Sequence, residues 1–540
     1  MTGIDLHPAP GTSDRRAWGL ALAGILPLAI AGACFATVQQ VWIDESTQLS
    51  GVALPFARMI RWLAGAPEAL GVPPDRMPPV GYALDWLWRR VAGPGELGFR
   101  LLHLAVACGG LAILLHAVAR RFGVVAGIAA ALLLAATPAS VDVAVEVRAY
   151  PLFLAATALQ LVALLRLFDR ATCSWRDLVA FALLGVLVAY VHFFGVVATC
   201  AYFCGLIGGK VRTRRELDRV LACWAGVLVS YVGLLPFIAG SVAISGVVGQ
   251  AAAGLDTYAR YPFVVLGHPA LLLVPAVAAI YFVLIGLLLG VAVVRLIGSL
   301  RAAPWAPDPI VGVAIAVLAG LVATTLATAV LGMSGFNPLK PSYGIWLWPP
   351  IAVVAASACG PLSGATLRRL TAAAVSMLAV TLASAQALFL SHAAWYAHGP
   401  GDMVAAQVEA LRGERTAVVL TGPHWAFAHF PLVYHRGGRT DDFLLDGDGS
   451  LRRIVPIGDA GGPALPPATL APYRYILLVA VQARSGADLR ALRNAQITRE
   501  ALIPTAPYLP GWTPVRDAVH PGLYTAHITC FAKAGDTGRC

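Results

Sequence analysis

Two carboxylates stand side by side at Asp44-Glu45, in the sequence VWIDES, where an apolar run gives way to a long mixed stretch. A carboxylate within hydrogen-bond reach of a hydroxyl can take its proton as the oxygen attacks, so this pair suits a general base or a group that positions a hydroxylated acceptor. Ordinary interfacial charge is the plain alternative. Asp75 follows in the same stretch, ahead of Met77-Pro78-Pro79. A double proline bars regular helix and restricts the residue before it, which would hold Asp75 in an extended segment or a simple turn. Glu146, Arg148 and Tyr150 come next in VDVAVEVRAYP. On extended backbone Glu146 and Arg148 would face the same way, as a working site or as a structural ion pair. His192 lies in AYVHFFG, and Lys340 and Tyr343 in NPLKPSYG. Arg148 and Lys340 are suited to a phosphate, the arginine through its fork of donors and the lysine as a point charge.

The elements that must carry these residues are set by composition. The chain has 540 residues, of which 58% are hydrophobic and 12% charged, with a mean hydropathy of +0.74. That charged share is about half of what a soluble domain carries. Apolar runs near the ~20 residues needed to cross a bilayer recur along the sequence. They fall at 17–38, 101–119, 124–141, 149–165, 178–191, 194–209, 220–248, 270–294, 309–331, 343–359 and 370–391, which predicts about eleven spans. The net charge of +11 then reflects basic cytoplasmic loops and not nucleic-acid binding. Arg166, Arg170 and Arg176 precede 178–209, and Lys210, Arg212, Arg214, Arg215 and Arg219 follow it. Both groups belong on the cytoplasmic side, so the segment between them should cross twice. Arg15 and Arg16 precede the first run and no small-residue cleavage site follows, which reads as a retained span with the N-terminus inside.

The long loop after that span, 39–100, holds two amphipathic stretches, 46–65 and 80–92, that read as helices lying in the interface. From about residue 396 the composition shifts. Strand-like runs at 417–422, 475–481 and 523–532 and a helix-like stretch at 486–497 predict an extracytoplasmic α/β domain over 396–540, following a membrane domain over 1–395. The nine cysteines show no metal-ligand spacing, and Cys530 and Cys540 could pair in an oxidising compartment. No metal ligands are assigned and no cofactor is expected.

Under this topology every candidate residue comes out extracytoplasmic. The spans lack the mid-membrane carboxylates typical of proton- or sodium-coupled transport. His103 and His116, near span ends, read as structural.

In this order the motifs resemble the GT-C glycosyltransferases, in particular the branch of protein O-mannosyltransferases and lipid A aminoarabinose and galacturonic acid transferases. Asp44-Glu45 resembles that branch's acidic pair after the first span, and Asp75 to Pro79 its Asp-x-His-Pro-Pro motif. Arg100, four residues after Glu96, is similar to its arginine at the next span; Glu146, Arg148 and Tyr150 resemble its acidic–x–Arg–x–Tyr element, and His192 to Gly195 its His-aromatic-aromatic-Gly element. The resemblance covers about residues 40–350. Two positions depart from the pattern: Met77 replaces the histidine before the prolines, and Ser342 stands where an arginine often precedes the tyrosine, with Lys340 nearby.

The resemblance implies a GT-C-like fold and transfer of a hexose or pentose from a polyprenyl-phosphate donor to an envelope lipid, glycan or protein. The place would be the outer face of a bacterial inner membrane. It implies Asp44 as base, Glu45 and Asp75 supporting the sugar, and Arg100, Glu146, Arg148, Tyr150, His192, Lys340 and Tyr343 binding donor phosphate and sugar. A glycine-rich nucleotide loop after a strand is missing, in keeping with a lipid-borne donor. The alternatives are a flippase or transporter of a lipid-linked sugar, or a non-catalytic envelope scaffold.

Overall fold

Continuous apolar sequence becomes helix in this chain, and proline or glycine marks many of the ends. The structure, a computed structural model, describes residues 13–72, 77–170, 172–245, 267, 274–303, 306–332, 341–360, 365–411, 415–437, 442–454, 463–483, 509 and 511–533. Asp75, Lys340, Cys540 and the helix expected at 486–497 lie outside the described residues. In chain order the main helices are α1 (Asp14–Ala36), α2 (Ile43–Ala53), α3 (Phe56–Leu63), α4 (Pro79–Ala92), α5 (Glu96–Phe122), α6 (Val124–Ala135), α7 (Pro138–Val145), α8 (Tyr150–Asp169), α9 (Trp175–Val191) and α10 (Phe194–Gly209). They continue with α11 (Arg214–Ser230), α12 (Leu235–Ser245), α13 (Pro275–Ala302), α14 (Pro309–Gly332), α15 (Trp348–Ser357), α16 (Ala365–Ser391), α17 (Gly401–Ala410) and α18 (Ala426–His435).

Among the described residues, seven helical stretches are long and apolar enough to cross a membrane: Asp14–Ala36, Glu96–Phe122, Tyr150–Asp169, Arg214–Ser241, Pro275–Arg301, Pro309–Ala327 and Arg369–Ser391. An eighth is added if α6 and α7, bent by 59° at their junction, count as one span. This corrects the expectation of about eleven. The helices α9 and α10 have 17 and 16 residues, about 25 Å of helix against a hydrocarbon core of ~30 Å. In 343–359 the apolar sequence is divided between a 3₁₀ stretch, Pro341–Leu347, and the 10-residue α15, with Pro349 and Pro350 in its first turn. Hydropathy over a window cannot see such breaks, because proline leaves the average apolar while ending the hydrogen-bond ladder.

The chain divides into two compact units. The first comprises Met1–Ala36, Arg76–Asp85 and Leu97–Leu390. Its helices show the two faces expected of bundle helices in lipid. In α1, Leu22, Leu26 and Ile30 are exposed at four-residue spacing, while Ala17, Ala21, Ile25 and Leu28 are buried. In α14, Leu318, Val322 and Leu326 form a similar exposed stripe. Inside, small residues let backbones approach, since apolar side chains gain little by leaving lipid for protein. A Cβ on Gly205 of α10 would lie 2.3 Å from the Gly312 carbonyl oxygen of α14, and one on Gly209 would lie 2.6 Å from the Gly312 Cα.

The second unit comprises Thr37–Asp75, Trp86–Glu96 and Ser391–Cys540. Its core is a six-stranded mixed sheet in the order β3-β2-β1-β4-β6-β5. The strands are β1 (Thr416–Thr421), β2 (Phe443–Leu445), β3 (Leu451–Arg453), β4 (Tyr475–Ala483), β5 (Trp512–His520) and β6 (Tyr524–Lys533). Parallel pairing joins β1 to β2 and β4, and the other pairs are antiparallel. Central β4 is apolar on both faces. Leu477, Val479 and Val481 pack with Ala428 and Leu432 of α18, whereas Ile476 and Leu478 pack with Phe443 and Phe531. Cys530 is disulfide-bonded.

The close crossing of α10 and α14 yields a test. Gly205→Ala should force the two helices apart, costing about 1–3 kcal/mol as overpacking does. The thermal midpoint of detergent-purified protein should fall clearly, whereas Gly286→Ala, where a Cβ meets open space, should leave it unchanged. Equal midpoints for both variants would contradict the packing.

Candidate active site

In the bundle unit, the candidate residues gather where helices end. The sequence Thr137-Pro138 starts α7, with the Thr137 hydroxyl accepting the Ser140 N–H, and α7 stops at Val145. The chain then turns tightly, the Arg148 N–H donating to the Glu146 carbonyl at 2.8 Å. This γ-type turn replaces the extended backbone expected from sequence, so the alternation argument for Glu146 and Arg148 does not hold. Both side chains are nonetheless 5% exposed. The α8 helix then begins at Tyr150-Pro151, proline at its first turn losing no intrahelical bond.

Arg148 lies 6.0 Å from the centre of the Tyr150 ring, and the Tyr150 ring is 5.6 Å from that of His192. His192 sits between α9 and α10, stacked at 4.7 Å on Phe153 and 5.4 Å from Tyr343. Tyr343 in turn stacks on Phe194 at 5.4 Å. Residues from three separate stretches of the sequence, the buried Arg148, Tyr150 and His192 and the half-buried Tyr343, thus form one aromatic and cationic cluster. The Phe194 N–H donates to His192 Nδ1 at 3.2 Å. A nitrogen that accepts cannot carry a proton, so the ring is neutral with its hydrogen on Nε2. Among the described residues, His192 Nε2 is buried without a hydrogen-bond partner, which leaves a donor ready for a ligand oxygen.

Arg100, 2% exposed, donates to the Val145 carbonyl at 3.3 Å and so braces the end of α7. The same turn is held by His103, read from the sequence as structural, together with Asp85, which sequence reading missed. His103 Nε2 lies 2.8 Å from the Asp85 carboxylate and its Nδ1 lies 2.6 Å from the Glu146 carbonyl oxygen. The imidazole thus bridges the Asp85 carboxylate to the backbone at the end of α7. An apolar cleft elsewhere on this unit is lined by Leu133, Tyr281, Ile285, Trp348 and Ile351, among others.

The other candidates belong to the second unit. Asp44 and Glu45 occupy the first turn of α2, where the helix dipole favours negative charge. Glu45 is fully buried and Asp44 half-buried. Burial raises the Tyr524 phenol above its ordinary pKa, and the Asp44 carboxylate nearby raises it further. The chain leading into α2 is fixed on residues near the C-terminal sheet. Gln39 donates to His398 Nδ1 and accepts the His398 N–H, both at 2.9 Å. The Val41 N–H reaches both Asp402 oxygens, at 3.3 and 3.2 Å. Trp42 lies edge-on to His398 and stacks against Phe427, which stacks in turn on Tyr524. None of these partners carries a sequence motif; they are some 360 positions away from the first loop.

The double proline opens α4, and Gly93, with φ 85°, ends it in a conformation that glycine adopts without strain. Glu96 follows as the first residue of α5, where it joins Asp402 and His435 in a cluster able to hold a metal ion. Burial works against charge on His435, but the Asp402 hydrogen bond and the charges of Glu96 and Asp402 prevail and raise its pKa.

The geometry defines a cation-bearing aromatic site in a helical membrane bundle and a carboxylate pair at the head of α2. The structure is similar to the crystal structure of ArnT from Cupriavidus metallidurans bound to undecaprenyl phosphate, with a TM-score of 0.54 and 14% identity over 98% of this chain and 100% of that one. It is similar also to the apo state of that ArnT, with a TM-score of 0.53 and 13% identity over 95% and 98%. The sequence matches no protein-family model and no curated protein.

The anchoring of α2 can be tested. Gln39→Leu removes two hydrogen bonds worth about 1 kcal/mol each, so amide exchange over 39–53 should speed by up to about thirtyfold. Hydrogen–deuterium exchange read by mass spectrometry gives the answer, and an unchanged rate would mean that the contacts with His398 do not hold this segment.

Proposed function

We propose that the protein transfers a sugar from a polyprenyl-phosphate donor to a hydroxyl of an envelope lipid, glycan or protein, on the outer face of a bacterial inner membrane. The observation that carries this reading is the cluster around Arg148 and His192, which offers positive charge and an N–H donor without a partner among the described residues to an anion inside a largely apolar bundle. Buried charge in such a setting is costly and marks function more often than structure. The ArnT of similar fold was solved with undecaprenyl phosphate, a ligand of that chemistry.

In the proposed reaction Asp44 accepts the proton of the acceptor hydroxyl as its oxygen attacks the anomeric carbon. The bond from that carbon to the phosphate oxygen breaks, and the phosphate leaves with the electron pair. Arg148, with Lys340 and Arg100, balances the charge that develops there, and His192 Nε2–H donates to a phosphate oxygen. Glu45 and Asp75 support the sugar as positive charge grows at its ring, while Glu146, Tyr150 and Tyr343 complete the donor site. A single displacement inverts the anomeric centre.

Purified protein in detergent should transfer labelled sugar from a polyprenyl-phosphate donor to an envelope extract. Asp44→Asn should lower the rate by about 10²–10⁴-fold, the usual contribution of a general base, with membrane expression unchanged. A fully active Asp44→Asn variant would remove Asp44 from the mechanism. No transfer by the wild type in detergent, together with flipping of the donor in sealed vesicles, would favour transport instead.

A further inference from the structure

The second unit contains a group of side chains that the transfer reading does not use. Glu96 opens α5, Asp402 is the second residue of α17, and His435 is the last of α18. His435 Nε2 lies 2.9 Å from Asp402 Oδ1, and its Nδ1 lies 3.8 Å from Glu96 Oε1. One ligand atom from each residue falls within 4.8 Å of the other two. A shared ion with bonds of about 2.0–2.2 Å would need the three drawn in by about 1 Å or less. The side chains are 25–31% exposed, so water can complete a coordination shell.

We propose that Glu96, Asp402 and His435 bind one divalent transition-metal ion, with zinc the best fit. One imidazole and two carboxylates form a mixed nitrogen and oxygen set that suits zinc, whereas magnesium and calcium favour oxygen alone and copper(I) favours sulfur. Two carboxylates beside a neutral imidazole carry a double negative charge, which a divalent ion cancels and a proton on His435 only halves. The surroundings also support ligand geometry. Asp402 is oriented by the two bonds from the Val41 N–H, and the Tyr434 hydroxyl hydrogen-bonds Glu96, as outer-shell partners of metal ligands do. The ion would tie Glu96 to α17 and α18 within the second unit. Through Asp402 and Val41 it would steady the chain that leads into α2 and Asp44, acting as a positioning element and not as a catalyst. This inference does not depend on the transfer reading.

Tag-free full-length protein, stripped with a chelator and titrated with zinc chloride, should bind one zinc per chain with a rise in thermal midpoint. Glu96→Gln and His435→Gln should each weaken binding by about tenfold or more. X-ray absorption at the zinc edge of the wild-type protein should show a nitrogen and oxygen shell containing one imidazole, a readout that stands even if a variant fails to fold. Absence of saturable binding, wild-type affinity in both variants, or a sulfur shell would overturn the proposal.

Discussion

Polar groups inside an apolar bundle must be satisfied by the protein itself, and this constraint governs where the chain's chemistry can sit. An unpaired N–H or carboxylate away from water costs several kcal/mol in the membrane, and the buried groups Arg100 and His103 of α5 bond to the chain where α7 ends, next to Glu146 and Arg148. There the backbone has spare carbonyls to offer. Arg100 takes that of Val145 and His103 that of Glu146. The γ-type turn between α7 and α8 is thus defined by its buried partners more than by its own sequence. His192 has one ring nitrogen satisfied and the other buried without a hydrogen-bond partner among the described residues. Gln160 Nε2, the Tyr202 hydroxyl and Trp346 Nε1 are buried in the same way; what sets His192 apart is its place in the cluster with Arg148, Tyr150 and Tyr343.

The same economy shapes the second unit. The α2 helix buries Glu45, Ser46, Thr47, Gln48 and Ser50, a polar content that the helix alone cannot satisfy. Ser46 and Thr47 return their hydroxyls to the Ile43 carbonyl. Gln39, Val41 and Trp42 fix the approach to the helix on His398, Asp402 and Phe427. A carboxylate that is to remove a proton must be held to within a fraction of an ångström, and a loop of this length cannot do that unaided. The C-terminal region supplies the bracing, which gives it a physical role besides any part in acceptor choice.

Much of this was legible in the sequence where a local pattern carries the signal. Seven of the expected spans correspond to long apolar helices, and the runs at 417–422, 475–481 and 523–532 form β1, β4 and β6. Three-residue strands β2 and β3 are too short to show a period, and β5, largely exposed with Pro514 inside it, reads as loop. The excess spans arose because hydropathy counts apolar residues without regard to helix length or to breaks at Pro138, Pro349 and Pro350. At the site, Arg148, Tyr150, His192 and Tyr343 could be picked out by residue type, but their mutual contact depends on tertiary packing. The partners Asp85, His398 and Asp402 gave no signal at all. An isolated aspartate on an amphipathic or polar helix looks like solvated surface until the distant histidine or backbone N–H that it meets is known.

The central claim is that the cluster around Arg148 and His192 receives the phosphate of a polyprenyl carrier. An experimental structure of the protein in lipid with polyprenyl phosphate added tests it most directly. The account predicts phosphate density within hydrogen-bond distance of the Arg148 guanidinium and of His192 Nε2. A phosphate bound away from both side chains would contradict it.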